Sequence, residues 1–428
     1  MQTREYSLEA PSATFTTLGC KVNQAETRRL ADALRARGWH IAESGAASDV
    51  AIINSCAVTA ESVRKTRQAV RRHKKQHPNA LVVLCGCMVT VSENLREALP
   101  EADIFLTQEE KETLPDVLHR ALKIPAQIPP IAPPIPRTTS VRASVKIQDG
   151  CDRFCSYCVI PHARGRAKST LLDDVLTECR ALLTGDTKEL VLTGINLSTW
   201  GQEWGLTLVD VARAVGALPG LLRLRLGSLE PYLLTDTVCT QLAEIPALCP
   251  HFHISLQSGS DKILHAMNRH YSAAQYAALC ATLRQRVPGC SITTDILTGF
   301  PGETQDDFAE TMQFAMNIAF EKVHIFPFSA RPGTRAFTLP DPLPRAEKER
   351  RARELGAAMR GIRQQYLQSN VGQTVEILVE ERDGEGFLCG YTPNYTAVRA
   401  RGDADIGTLQ NVVITGVAGD LCVGDVLL

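Results

Sequence analysis

The sequence predicts an α/β protein made of three consecutive folded regions. They are an N-terminal parallel α/β domain, a central partial (β/α)6 barrel and a small C-terminal antiparallel β-barrel. Three observations lead to this prediction. Apolar strand-like runs alternate with helix-like segments along most of the chain, a proline-rich stretch interrupts the alternation, and the end of the chain consists of short strands between glycine-containing turns. With 428 residues the chain is long enough to build several cores.

The N-terminal region, residues 1–123, contains three strand candidates: "SATFTTLGC", "DVAIINSC" and "ALVVLCGC". Between them lie "QAETRRLADALRARGW" and "ESVRKTRQAVRRHKKQH", which are rich in helix formers. Strands that alternate with helices favour a parallel sheet, so we expect a flavodoxin-like α/β domain. The segment that follows, "IPAQIPPIAPPIPR" at residues 124–137, favours extended polyproline II and predicts a linker between domains.

The central region, residues 138–368, repeats the alternation on a larger scale. Six strand candidates are "RASVKIQ", "ELVLTGIN", "LRLRLGSLE", "HFHISLQS", "SITTDILTGF" and "KVHIFPFS". Six βα units predict an open (β/α) barrel with its functional site at the carboxyl ends of the strands. In residues 369–428, short strands alternate with "DGEG", "GD" and "AGD" turns, which is typical of a small antiparallel β-barrel.

The formal net charge is −1, so affinity for a nucleic acid would have to come from local basic patches. Two predicted helices carry such patches, although a run of charges is more often a solvated face. Their basic residues are Arg64, Lys65, Arg67, Arg71, Arg72, Lys74 and Lys75 on the first, and Arg345, Lys348, Arg350, Arg351 and Arg353 on the second.

The N-terminus is polar and no apolar run approaches membrane-spanning length, so we expect a cytoplasmic protein that does not contact a membrane. The chain contains 14 cysteines. In a reducing compartment, clustered cysteines indicate metal or redox ligands before they indicate disulfides.

The segment "CDRFCSYCVIPHARG", residues 151–165, places three cysteines within one loop after the first strand of the predicted barrel. Cys151, Cys155 and Cys158 could bind an iron–sulfur cluster, in which three thiolates would leave one iron without a protein ligand. A zinc site completed by His162 is the alternative. The spacing of the cysteines does not distinguish the two.

A second group of cysteines lies at the strand ends of the N-terminal region. Cys20 and Cys56 each end a predicted strand just before a helix, and the third strand ends in "CGC" with Cys85 and Cys87. The carboxyl ends of parallel strands share one edge of a sheet, so these thiols can converge. Strand alternation points Cys85 and Cys87 to the same face and does not separate them. The alternative is that all four are small buried hydrophobic residues.

The cysteine loop, with Tyr157 directly before its last cysteine, resembles the cluster loop of radical S-adenosylmethionine (SAM) enzymes. The resemblance implies a 4Fe–4S cluster on the catalytic trio Cys151, Cys155 and Cys158, with SAM chelating the open iron. On reduction, SAM would be cleaved to a 5′-deoxyadenosyl radical. Nearby, Arg164 and Lys168 would be placed to contact a SAM carboxylate or an RNA phosphate.

Three N-terminal segments, "TLGCKVNQAE", "INSCAVT" and "CGCMVT", resemble the signatures of the methylthiotransferase family. The downstream segments "YCVIPHARGRAKS", "LTGIN", "HFHISLQSGSD" and "TDILTGFPGET" fit the same family. The resemblance implies a second 4Fe–4S cluster on Cys20, Cys56 and Cys87, with Cys85 outside the ligand set. It also implies that the C-terminal barrel is similar to the RNA-binding TRAM module.

Within that family, "LGCKVNQAE", "RLRLGSLEP" and "GYTPNYTAV" resemble the branch that modifies N6-threonylcarbamoyladenosine in tRNA. The implied reaction adds a methylthio group to C2 of this adenine and consumes two SAM molecules. The implied partners are the anticodon stem-loop of tRNA and an electron donor such as a flavodoxin or ferredoxin. Two alternatives are methylthiolation of a ribosomal protein side chain and a non-catalytic, metal-bearing RNA-binding protein.

The resemblance further indicates which residues contact SAM. For each of them, ordinary loop capping or a local turn is an equally good interpretation. The candidates are Tyr157, Thr193, Gly194, Asn196, Glu230, Ser255, Gln257 and Asp295.

Overall fold

The structure is a computed structural model that describes residues 10–124 and 140–427. Except for Ile124, the predicted linker at residues 124–137 lies outside the described residues. Among the described residues, no helix is both long enough and apolar enough to span a bilayer, including α13 (Arg345–Gln368), the longest.

The N-terminal domain is a parallel sheet with helices on both faces. Its strands are β1 Ser12–Thr17, β2 His40–Ile41, β3 Val50–Ser55, β4 Leu81–Gly86 and β5 Ile104–Leu106. Its helices are α1 Lys21–Arg35, α2 Ala60–Gln76, α3 Cys87–Val91, α4 Leu95–Ala98 and α5 Leu114–Ala121. The strand order β2-β1-β3-β4-β5 with parallel pairing confirms the flavodoxin-like prediction. The sequence missed β2 and β5, which are too short to show a periodic pattern.

Each face of this sheet is buried against helices. Leu34 of α1 and Leu118 of α5 pack on one side, together with Val83 of β4. Val70 of α2 packs on the other side against Leu84 of the same strand. Because both faces are covered, the central strands are mostly apolar, and sites in such sheets lie at the carboxyl edge, where the strands end.

The central domain is an open barrel of six parallel strands with helices outside. Its strands are β6 Arg142–Lys146, β9 Glu189–Thr193, β10 Arg223–Leu226 continued by β11 Ser228–Leu229, β12 His251–Ile254, β13 Ser291–Thr298 and β14 Lys322–Pro327. A small hairpin, β7 Gln148–Asp149 with β8 Lys168–Ser169, flanks the cysteine loop. The helices are α6 Ile160–Arg164, α7 Leu172–Leu183, α8 Leu208–Gly216, α9 Asp236–Ala243, α10 Asp261–Ala266, α11 Ala273–Arg286, α12 Gln305–Ile318 and α13 Arg345–Gln368. All six predicted strands are confirmed.

The C-terminal domain is a closed five-stranded barrel in the order β15-β16-β17-β19-β18. Its strands are β15 Thr374–Arg382, β16 Leu388–Tyr391, β17 Ala397–Arg401, β18 Leu409–Ala418 and β19 Leu421–Val426. The predicted small barrel is confirmed, but it is not wholly antiparallel, since β17 and β19 pair in parallel. Strand direction cannot alternate all the way around a closed ring with an odd number of strands, so one parallel pair is unavoidable.

The C-terminal barrel is joined to the central domain by ion pairs. Arg142 of β6 pairs with Glu380, and Arg223 of β10 pairs with Glu376 at 2.8 Å. The side chain of Arg223 is only 4 % exposed and that of Arg142 only 16 %. These arginines have little access to water, so the charges of the barrel are needed to compensate them.

We expect the double variant Glu376→Gln, Glu380→Gln to destabilise the full chain. The barrel still covers the two arginines, but Arg223 loses its carboxylate and Arg142 keeps only Glu189 at 3.6 Å, and a buried charge left without its partner costs about 3–5 kcal/mol. The melting temperature, followed by circular dichroism, should fall by several degrees. As a control, replacing both arginines by Met in the same variant should recover part of the loss. An unchanged melting temperature would show that the two ion pairs do not stabilise the contact between the domains.

Two cysteine trios beside one cavity

The first candidate site is the cysteine loop, which runs from the β7–β8 hairpin into α6. The amide of Cys151 donates to the carbonyl of Gly165 at 3.1 Å, and that of Cys158 donates to the carbonyl of Cys155 at 2.9 Å. Gly150 has φ +68°, and a Cβ there would lie 1.9 Å from the carbonyl oxygen of Arg166. Only glycine fits this close crossing of two backbones. The loop is therefore fixed from both ends.

Polar side chains surround the three sulfurs. The amide nitrogen of Asn196 lies 3.9 Å from Sγ of Cys151, and the guanidinium of Arg269 lies 3.4 Å from Sγ of Cys155. Hydrogen bonds to ligand sulfurs tune the potential of iron–sulfur clusters. Sequence reasoning missed Arg269, because a single arginine in "MNRHYS" has no motif around it.

The donor set fits an iron–sulfur cluster. Burial raises the pKa of the Cys158 thiol to about 12 and also raises the pKa of Cys151. Such thiols become ligands when a bound metal replaces their protons. His162, which would complete the alternative zinc site, is exposed with its ring edge-on to Phe154. Tetrahedral zinc needs a fourth ligand atom close to the three sulfurs.

The second trio lies at the carboxyl edge of the N-terminal sheet. Cys20 caps α1, Cys56 follows β3 and Cys87 begins α3. A Cβ on Gly19 would lie 2.8 Å from Cβ of Cys56, so the chain beside Cys20 is pressed directly against Cys56. Cys87 packs on Ala163 of α6, the helix that directly follows the first trio. The strand ends that carry the second trio therefore share one edge of the sheet, next to α6.

Two buried guanidinium nitrogens without a partner show what this second trio can hold. Nε of Arg164 and Nε of Arg331 make no hydrogen bond to any residue that the structure describes. Arg164 lies close enough to lower the pKa of Cys87 against the rise caused by burial, and Arg331 interacts electrostatically with Cys56. An iron–sulfur cluster held by thiolates is anionic, and buried anions need hydrogen-bond donors and positive charge nearby. The free Nε–H groups of Arg164 and Arg331 supply both beside Cys87 and Cys56.

The structure separates Cys85 from Cys87, which strand alternation could not do. Gly86 has φ +97°, a left-handed conformation that ends β4 and starts α3 at Cys87. The alternation therefore stops one residue before Cys87. Cys85 is buried in the apolar core with Leu34 and Leu118, where its pKa is raised by burial to about 12.

Three of the predicted SAM contacts lie beside the first trio. Thr193 ends β9 and its carbonyl accepts from the amide of Ile147. Gly194 lies against Gln148, where a Cβ would come within 2.9 Å, and Asn196 turns its amide towards Cys151. This places the "LTGIN" segment at the mouth of the barrel, next to the cysteine loop.

The other predicted SAM contacts already have partners. Glu230 forms an ion pair with Arg269 at 2.7 Å, and the carbonyl of Ser255 accepts from the same guanidinium. Gln257 has φ +74° and bonds through its backbone to the carbonyl of Asp295.

The remaining two candidates also face inward. The carboxylate of Asp295 lies 3.1 Å from Nε2 of His253. Tyr157 is packed beside Met267 and Phe300, and burial holds the pKa of its hydroxyl well above the usual value.

Arg164 corrects one expectation from the sequence. Its guanidinium is fully buried and binds Glu26 of α1 at 2.8 Å and Asp149 at 3.0 Å, so it does not meet a SAM carboxylate or a phosphate. Lys111 and Lys146 each lie 2.6 Å from the same Glu26. Burial alone would raise the pKa of Glu26, but the three cations outweigh it and hold that pKa well below its usual range.

The two basic helices also differ from expectation. Lys348 and Arg351 are buried in ion pairs with Asp341 and Glu303, so they do not face a nucleic acid. Several others are paired with carboxylates; Lys74 among them is half-buried, and the exposed ones are Arg64, Lys65, Arg71, Arg345 and Arg350. The apparent basic surface is therefore smaller than the sequence suggests.

A cavity of about 940 Å³ opens between the N-terminal domain and the end of β14. Cys20 and Cys56 line one wall, and Phe326 and Phe328 line the other. Arg64 and Arg345 also contribute to the lining, from the two basic helices. The cavity thus combines two thiols, aromatic faces on which a planar ring can stack, and cations suited to phosphate.

Comparison with known protein families accounts for about three quarters of the chain. Residues 12–107 match the profile described as "Uncharacterized protein family UPF0004", residues 145–315 match the radical SAM superfamily, and residues 368–426 match the TRAM domain.

Relatives with tRNA-modifying names share much of the sequence. The threonylcarbamoyladenosine tRNA methylthiotransferase MtaB of Thermotoga maritima is 34 % identical over 89 % of this chain and 89 % of its own length. The tRNA-2-methylthio-N(6)-dimethylallyladenosine synthase of Chloroflexus aurantiacus is 36 % identical over 94 % of this chain and 88 % of its own. Neither name refers to a ribosomal protein or to a non-catalytic protein.

Among solved structures, the radical SAM methyltransferase TsrM of Kitasatospora setae superimposes with a TM-score of 0.57. The match covers 77 % of each chain at 17 % sequence identity. The cobalamin-dependent SAM radical enzyme OxsB superimposes with a TM-score of 0.50 over 81 % of this chain and 56 % of its own, at 11 % identity. At these identities the likeness concerns the fold.

The different surroundings of Cys85 and Cys87 give a direct test of the second trio. We expect Cys87→Ala to lose about half of the iron of the reconstituted protein, because it removes a ligand beside Arg164. Cys85→Ala changes only a core contact and should keep all of the iron at a cost of about 1 kcal/mol in stability. Iron analysis and the absorbance of the reconstituted variants measure both effects. Full iron in Cys87→Ala and loss in Cys85→Ala would reverse the assignment.

Proposed function

The chain belongs to the radical SAM tRNA methylthiotransferase family, and we propose that it adds a methylthio group to C2 of N6-threonylcarbamoyladenosine next to the anticodon. The observation that carries the proposal is the cavity beside Cys20 and Cys56. Its lining combines two cysteines of the second trio, Cys20 and Cys56, with Phe326, which is 40 % exposed and can stack on a base. A purine that enters this cavity has its edge next to the thiols.

We assign one 4Fe–4S cluster to each trio: one to Cys151, Cys155 and Cys158, the other to Cys20, Cys56 and Cys87. With two SAM molecules bound and an electron delivered by a reduced donor, these groups would supply the radical that takes the C2 hydrogen away as 5′-deoxyadenosine, and the sulfur and methyl group that replace this hydrogen. Radical chemistry is needed because the C2–H bond of the adenine is too inert to be broken by acid–base residues alone.

The protein residues position and insulate these groups. Asn196 and Arg269 donate towards the sulfurs of the first trio, and Glu230 holds Arg269 in place through a bidentate pair. Arg164 and Arg331 place positive charge beside the second trio. We assign to Thr193 and Gly194 backbone contacts with the methionine part of SAM, and to Ser255, Gln257 and Asp295 contacts at the same end of the barrel.

The choice of N6-threonylcarbamoyladenosine as the substrate is based on three segments that resemble the enzymes of that branch: "LGCKVNQAE", "RLRLGSLEP" and "GYTPNYTAV". Relatives at similar identity act, by their names, on threonylcarbamoyladenosine or on dimethylallyladenosine. We propose that the protein meets its tRNA in the cytoplasm and takes electrons from a flavodoxin or ferredoxin, with the TRAM-like barrel contributing to RNA binding.

The proposal is tested by mass spectrometry of tRNA nucleosides from a strain that lacks the gene. We expect 2-methylthio-N6-threonylcarbamoyladenosine to disappear and its unmethylthiolated precursor to accumulate. The wild-type gene should restore the product, and a Cys158→Ala gene should not. Loss of the methylthio derivative of dimethylallyladenosine instead would assign the chain to the other tRNA branch.

A further inference from the structure

Three neighbouring strands of the central barrel carry two imidazoles and a carboxylate that face one another. His253 lies on β12, Asp295 on β13 and His324 on β14, and these strands are adjacent in the sheet. Phe252 and Val323, one residue before each histidine, pack into the core beneath the outer helices, so by alternation both histidines point into the interior of the barrel. Asp295 is the direct cross-strand partner of His324 and shares its face.

The ligand atoms of these three side chains are close enough to share one ion. Nε2 of His253 lies 3.1 Å from Oδ2 of Asp295. Two ligand atoms bound about 2.1 Å from a metal, at about 90–110° to each other, lie about 3.0–3.4 Å apart, so this pair already has the required spacing. A ring nitrogen of His324 lies within 4.8 Å of both atoms. His324 is exposed, and a rotation of its side chain closes the remaining distance.

A hydroxyl fixes the ring of His253 from behind. Nδ1 of His253 lies 2.9 Å from Oγ1 of Thr293, and the same oxygen lies 3.4 Å from Nε2 of His251. Nδ1–H of His253 can therefore donate to Thr293, whose hydroxyl donates onward to His251. In this arrangement Nε2 of His253 presents a lone pair to Asp295, and two acceptors 3.1 Å apart need a cation between them. A proton fills that place in the free protein, and a metal ion replaces it on binding.

The outer contact of His253 is the one that metal-bound histidines usually make. Their second ring nitrogen donates to a fixed acceptor, which orients the ring and sets the tautomer. The buried hydroxyl of Thr293 is such an acceptor.

The other two ligands are available in the part of the chain that the structure describes. The ring nitrogens of His324 make no hydrogen bond there, and the ring contacts only that of His253, at 5.6 Å between centroids. The carboxylate of Asp295 bonds only through Oδ2, so Oδ1 remains for the contact with SAM assigned to this residue above. The side chain of Asp295 is 27 % exposed, which gives ions in solution access to the cluster.

The ligand types and the nearby charges favour a transition metal over Mg²⁺ or Ca²⁺. Two lysines, Lys21 and Lys322, interact electrostatically with His324. Lys322 has a counter-charge in Asp420 at 3.5 Å, and Lys21 is exposed, so that water and salt screen its charge. One carboxylate in such surroundings is too few oxygen ligands for a hard cation. Two imidazoles with a carboxylate are instead typical ligands of Zn²⁺ or Fe²⁺.

The cluster lies between the mouth of the barrel and its floor. Ser255 follows His253 by two residues towards the mouth, a rise of about 7 Å at the usual spacing along a strand. Two residues before His253, the ring of His251 packs on Tyr395 of the C-terminal barrel at 4.9 Å between centroids. The free coordination positions of a bound ion would therefore face the interior of the barrel. None of its three ligands belongs to either cysteine trio.

We propose that His253, Asp295 and His324 bind one divalent transition metal ion. Three protein ligands leave at least one coordination position for water or for an oxygen atom of a bound substrate. Binding displaces the proton between His253 and Asp295 into solution. The site is separate from both cluster sites and does not depend on which adenosine the enzyme modifies.

The test uses the full chain with both trios loaded with iron, dialysed anaerobically against Zn²⁺. Zn²⁺ is the probe because such sites bind it more tightly than Fe²⁺. Zinc and iron per chain are measured by mass spectrometry of the elements. We expect one zinc per chain in wild type, in addition to the iron of the clusters.

His253→Gln and His324→Gln should each lower the affinity for zinc about 100-fold, because even the loss of an outer partner of a ligand costs about 10–100-fold. His324 is exposed, so its replacement does not disturb the core. The control His40→Gln removes an exposed histidine of β2 and should bind zinc as wild type does. Equal iron content and melting temperature in all variants separate metal binding from misfolding.

X-ray absorption at the zinc edge identifies the ligands. We expect nitrogen and oxygen atoms at about 2.0–2.2 Å. Absence of bound zinc in wild type, or wild-type affinity in both His253→Gln and His324→Gln, would overturn the inference. A zinc–sulfur distance of about 2.3 Å that persists in both variants would overturn it as well, since the ion would then be bound by cysteines.

Discussion

The arrangement of both cysteine trios depends on one buried carboxylate, Glu26. It projects from α1 of the N-terminal domain and binds Arg164 and Lys146 of the central domain as well as Lys111 of its own. Replacing such a network by apolar residues is often neutral for stability, but removing one member is costly. We therefore assign it a role in geometry. Asp149 of the central domain supplies one carboxylate to Arg164 and Glu26 of α1 supplies the other, and the contact with Glu26 places the second trio beside α6.

Several features follow from this contact. α1 packs along β6, the edge strand of the open barrel, so the N-terminal domain covers the side that the six strands leave open. Cys20 at the start of α1 then borders the cavity at the end of β14. From the other end Tyr395 enters between arginines of β6 and β10. Each of the three domains thus contributes to one chamber, which gives a physical reason for their union in one chain.

The sequence predicted much of this architecture because its signals are local. Long periodic segments defined the six barrel strands and the three-domain order, and cysteine spacing defined the loop at Cys151. Cys85 and Cys87 could not be separated from pattern alone, because the left-handed turn at Gly86 interrupts the alternation. Arg164 was predicted to bind a ligand, yet its partner Glu26 lies 138 residues away in sequence. Pairings over that distance leave no local signal, and the same is true of Arg269 with Glu230.

The central claim is that the Glu26 network aligns the two trios over one substrate, and Glu26→Gln tests it most directly. The measured quantity is the number of 5′-deoxyadenosine molecules formed per methylthiolated adenosine, with iron content and melting temperature as controls. If the claim is right, the variant keeps both clusters and cleaves SAM, but the ratio rises about tenfold or more because radical formation and sulfur transfer are no longer aligned. A folded, fully loaded Glu26→Gln enzyme with the wild-type ratio would contradict it.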